Sequence, residues 1–158
     1  MSLYYEDQRV GAVGAYGAHT FTRDGIIAFA VLYDPQPFHL SEEGAKASMY
    51  GSLIASGWHT ASICMRLMID ARDRARAQHA ALGEPLAQLG VSPGFRDMRW
   101  PAPVRPGDTI AYSGRVESSR ETKRPQWGLV TSRNTGVNQH GAEVFAFTSI
   151  VLWERRPA

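Results

Sequence analysis

One stretch limits the possible folds more than any other. Residues 57–78 read GWHTASICMRLMIDARDRARAQ, the longest helical pattern in the chain. Its first half is small or apolar on nearly every face, with Ala61, Ile63, Cys64, Met65, Leu67 and Met68. A helix that is apolar all round has to be buried. Its second half carries Asp70, Arg72, Asp73, Arg74 and Arg76 and is expected to emerge into water. Whatever else forms must therefore enclose one end of this helix.

The enclosing material follows in the sequence. The segments FRDMRW, TIAYSGRVES, WGLVTSRNTGV and AEVFAFTSIVLWER are rich in β-branched and aromatic residues and read as strands. Turns are marked by PAPVRPGD and by NQHG at residues 138–141. The last strand, residues 144–153, is apolar on both faces. It is expected in a central position, or at an interface, with both faces covered. Residues 80–93 read as a loop that could cap a binding tunnel.

Upstream, residues 15–21 read as one strand. FTRDGIIAFAVLYD reads as a helix capped by Thr22, with Asp24 in its first turn and an end near Tyr33. Ser41 caps a short helix, SEEGAKAS. Helices followed by a run of antiparallel strands predict an α+β domain, a curved sheet packed on one long helix. A chain of 158 residues is expected to form a single domain spanning residues 1–158.

Composition excludes several classes of function. With 44% hydrophobic and 20% charged residues, the sequence reads as a globular protein rather than a disordered one. A net charge of +2 gives no electrostatic case for nucleic acid. No apolar run approaches membrane-spanning length, and no leader pattern opens the chain. The single cysteine, Cys64, rules out an internal disulfide and favours a reducing, cytoplasmic setting.

Between the first two helices lies DPQPFH, residues 34–39. Its two prolines are expected to exclude regular structure. The same stretch places Asp34 and His39 five positions apart on a stiff loop. Taken alone, Asp34 also reads as a helix-end turn, His39 as a surface residue beside Ser41, and Gly57 as a close-packing glycine.

In their order along the chain, FTRDGIIAFAVLYD, DPQPFH, SEEGAKAS, MYGSLIASGWHTASI and VRPGDTI resemble the MaoC-like dehydratases, the (R)-specific enoyl-CoA hydratase type. The resemblance runs over residues 20–153. It departs from the family pattern at Gln36, where asparagine is usual, and at Ser56, where histidine is common.

The resemblance implies a hotdog fold, in which a bent antiparallel sheet wraps around the central helix. It implies a homodimer or dimer of dimers, with the sheets of two subunits joined edge to edge. The substrate would be a thioester of coenzyme A or of acyl carrier protein, with no metal or redox cofactor. The reaction would add water to a trans-2-enoyl thioester and give the (R)-3-hydroxyacyl product. Asp34 and His39 would share acid and base work, and the Gly57 N–H would stabilise the thioester oxyanion. Gln36, Phe38, Ser56 and His59 are the expected substrate contacts. Arginines along the long helix, and Lys123 with Arg124, are candidates for coenzyme A phosphates. Two alternatives are a hotdog thioesterase, since one fold serves both chemistries, and a non-catalytic acyl-thioester binding protein.

Overall fold

The structure is a computed structural model that describes residues 4–157. Five antiparallel strands form one sheet in the order β1-β3-β4-β5-β2. The strands are β1 (Val13–Thr20), β2 (Gly94–Arg99), β3 (Thr109–Glu121), β4 (Trp127–Asn138) and β5 (Glu143–Glu154). Among the described residues, four α-helices precede β2: α1 (Arg23–Tyr33), α2 (Pro37–Leu40), α3 (Glu42–Lys46) and α4 (Gly57–Ala81). The α+β prediction and the long helix after Ser56 agree with this arrangement.

Local chemistry explains the helix starts. Thr22 Oγ1 accepts from Gly25 N at 3.1 Å, and Ser41 Oγ accepts from Gly44 N at 2.9 Å. Each hydroxyl satisfies an amide that the first helical turn leaves unpaired. DPQPFH is more regular than its prolines predict. Pro37 occupies the first position of α2, where a missing N–H costs nothing and a fixed φ helps.

Burial of α4 also differs from the expectation. Cys64, Ala71 and Ala75 form a buried stripe, with Met68 packed beside it. Trp58, Met65 and Ile69 lie on another face and are exposed. The apolar first half is therefore covered on one side only. The charged second half stays docked, because Ala71 and Ala75 are small enough to keep it against its neighbours. β5 lies between β4 and β2, and Val144 through Thr148 are buried without interruption. Its second half is only half-buried.

The core brings α1, α4 and the sheet together through Phe21, Ile26, Cys64, Ile110, Tyr112, Val144 and Phe145. A polar knot sits within it. Asn134, fully buried, accepts from the Tyr16 hydroxyl at 2.7 Å and donates to the Ser132 carbonyl at 2.9 Å. Gly114 leaves the space for that hydroxyl, since a Cβ at 114 would collide with it. Gly114→Ala is therefore expected to cost about 1–3 kcal/mol in denaturant unfolding. In a Tyr16→Phe background the penalty should shrink. An unchanged penalty would show that the hydroxyl is not the obstacle.

Candidate active site

The site is assembled from the end of α1, all of α2, and the link into α4. Asp34 closes α1, its own N–H bonding to Ala30 O at 2.9 Å. His39 lies in α2, with its side chain buried. Residues 53–56 run alongside as buried extended chain. Ile54 N donates to Phe38 O at 3.2 Å, and Ala55 N donates to Val104 O at 2.8 Å. The Ile54 carbonyl faces His39 Nδ1 at 2.8 Å. A carbonyl can only accept, so Nδ1 carries the proton and a neutral His39 presents Nε2 as a lone pair.

That Nε2 lies 3.4 Å from Asp34 Oδ2. Both carboxylate oxygens are already engaged. Ser56 Oγ donates to Oδ2 at 2.6 Å, and Gln36 Nε2 donates to Oδ1 at 2.8 Å. Burial pushes the Asp34 carboxyl up, but the bonds from Ser56 and Gln36 and the neighbouring imidazole of His39 outweigh it. Its pKa lies below the ordinary carboxylate value, so Asp34 is ionised at neutral pH.

Asp34 and His39 open onto a pocket of about 530 Å³. Gln36, Phe38 and Gly57 also line it. Among the described residues, the Gly57 N–H has no hydrogen-bond partner; the next amide, Trp58 N, is taken by Ser56 Oγ at 3.2 Å. Trp100 lies over Gly57, and its Nε1 donates to the Gly57 carbonyl at 2.8 Å. A Cβ at position 57 would sit 2.7 Å from the indole, so only glycine fits. The free N–H thus lies at a helix start, where the dipole favours negative charge, on a residue that lines the pocket.

Comparison with known proteins gives the family and the fold. Residues 11–138 match the family model described as MaoC like domain. The chain belongs to the MaoC-like family. The crystal structure of a MaoC-like dehydratase from Rhodospirillum rubrum is 39% identical, with a TM-score of 0.85 over 99% of this chain and 100% of that one. An (R)-hydratase from Pseudomonas aeruginosa, 19% identical, superposes with a TM-score of 0.67 over 98% of this chain and 87% of that one. The shared architecture is the hotdog fold, as the resemblance implied. A mesaconyl-CoA hydratase from Cereibacter sphaeroides is 28% identical over 88 residues, which are 53% of this chain and 26% of that protein. This chain thus matches about a quarter of that relative's length.

Not every expected contact of this MaoC-like chain lies in the pocket wall. Ser56 is fully buried behind Asp34 and touches the carboxylate instead. His59 faces away from the pocket. Its ring stacks on Phe29 with centroids 4.6 Å apart and meets Phe21 edge-on at 4.9 Å. The loop expected over residues 80–93 begins only after Ala81, where α4 ends, and residues 82–93 do not line the pocket either. That loop lies along β5 and α4, through Leu152 N to Val91 O at 3.0 Å and Arg76 to the Ala87 carbonyl at 2.6 Å.

Sequence reasoning missed Tyr50, Trp58 and Trp100 as pocket walls. The proline-rich run after Trp100, which breaks the strand pattern, is the signal that residues 100–104 had to do something other than pair. No helix among the described residues is long and apolar enough to cross a membrane.

His59 Nδ1 is buried with no hydrogen-bond partner among the described residues. Burial, helped by the charge of His19, pulls the His59 pKa down to about 4 from its ordinary 6.5. Between these values the unfolded chain binds a proton that the folded chain refuses. The resulting stability is full above pH 6.5 and is lost as pH falls toward 4, by up to about 3 kcal/mol. Urea unfolding of the wild type and of His59→Leu at pH 4, 5, 6 and 7 tests this. The variant should lose stability less steeply below pH 6.5.

Proposed function

We propose that the chain is an acyl-thioester hydro-lyase that reversibly adds water to a trans-2-enoyl-CoA and gives the (R)-3-hydroxyacyl-CoA. The observation that carries this is the arrangement of Asp34 and His39. The two face each other at 3.4 Å, one ionised and doubly hydrogen-bonded, the other presenting a lone pair. One water can donate a proton toward each. His39 Nε2 takes a proton from this water as its oxygen bonds to C3. The same proton then goes to C2. Both new bonds form from one side of the double bond, so the addition is syn. Negative charge gathers on the thioester oxygen, where the Gly57 N–H supports it.

Ser56 and Gln36 keep Asp34 charged and oriented. The α2 turn braced by Pro35 and Pro37 limits the freedom of the pair, as proximity catalysis requires. This chemistry uses no metal or redox group. The family carries the stereochemical expectation, and the same site accommodates a thioester of acyl carrier protein. A homodimer belongs to the proposal. The exposed Met65 and Ile69 on α4 support it as a face that gains from being covered. Sedimentation should give a mass near twice 17.4 kDa or a multiple of that dimer.

Crotonyl-CoA hydration, followed by loss of the enoyl absorbance, tests the reaction. Asp34→Asn and His39→Gln should each lower kcat by about 10²-fold or more while the variants still unfold cooperatively. Ser56→Ala should lower activity less and also cost about 1 kcal/mol of stability through the lost cap. Free thiol released without hydration would instead identify a thioesterase. Binding without either reaction would identify a non-catalytic acyl-thioester protein.

A further inference from the structure

We infer that the pocket selects an uncharged acyl group and rejects a dicarboxylic one. The inference rests on the thioester reading above and names the class of acyl chain. Coenzyme A is large and charged, so it has to leave by the open side. That side is rimmed by Met49, Tyr50, Trp58 and Trp100, all exposed. The acyl group then points inward, toward Ile54, Ala55, Thr60, Val104 and Val144, all buried.

No lysine or arginine is among the residues lining this pocket. Of three arginines, the Arg105 guanidinium has no carboxylate partner among the described residues but lies at the rim, away from the inner wall, and Arg99 and Arg133 are ion-paired. Arg105 donates to Ser52 and to the Tyr50 carbonyl at the rim. Arg99 and Arg133 are held by Glu143, at 3.6 and 2.6 Å. The fixed negative charge in the wall is Asp34 itself. A second carboxylate on the acyl chain would lose its water, find no cation, and share the pocket with an anion. An unpaired charge in such a place is strongly disfavoured. The apolar wall has no comparable objection to a methyl group.

Crotonyl-CoA and the monothioester fumaryl-CoA form a matched pair, since a terminal methyl in one is a carboxylate in the other. We expect kcat/KM for crotonyl-CoA to exceed that for fumaryl-CoA by more than about tenfold. A smaller ratio, or a preference for fumaryl-CoA, overturns the inference. Calorimetric binding of the saturated pair, butyryl-CoA and succinyl-CoA, separates this inference from the hydration reading. If neither enoyl thioester is hydrated, the hydratase reading fails, and the same tenfold criterion applied to binding decides the pocket's selectivity. If neither saturated thioester binds and neither enoyl thioester reacts, both readings fail.

Discussion

Residues 53–56 form a short run of buried chain whose amides and carbonyls cannot be left unpaired. That constraint organises the site. Leu53 N takes Glu42 Oε2, Ile54 N takes the Phe38 carbonyl, and Ala55 N takes the Val104 carbonyl. The Ile54 carbonyl takes His39, and the Ser56 hydroxyl takes Asp34. Backbone satisfaction of one segment thus ties together the loop after α1, both short helices, the start of α4 and the turn before β3. Asp34 and His39 are positioned by bonds the fold must make anyway.

The same economy appears at Gly57. Lacking a side chain, it lets Trp100 close over the helix start, and the indole N–H bonds its carbonyl. The residue is held through its carbonyl, while its own N–H, in the preceding peptide unit, stays free among the described residues. A rigid donor of this kind needs no reorganisation when charge develops on a bound oxygen. Trp100 therefore serves as both a pocket wall and a support for the donor.

His59 shows how closely function and stability can lie in one sequence. It is two residues from Gly57, yet the helical turn sends its ring to Phe29 and Phe21 rather than into the pocket. An imidazole there is held neutral by burial and stacks on Phe29. Neighbouring positions on a helix face different surroundings because successive residues are turned by about 100°.

Much of this was legible in the chain itself. Caps at Thr22 and Ser41, the helix after Ser56, the four strands that follow and the Asp34–His39 loop are local patterns, governed by backbone propensity and side-chain periodicity. Trp100 over Gly57, Ser56 behind Asp34, His59 turned from the pocket and the loop at 82–93 laid along β5 are contacts between distant segments. No local rule encodes them, because they depend on which surfaces the completed sheet and α4 leave to be filled. The sequence by itself determined which groups could do chemistry. Only tertiary packing decided which carboxylate stays charged, which imidazole nitrogen keeps its lone pair and which residues form the pocket wall, since burial and hydrogen bonding set all three.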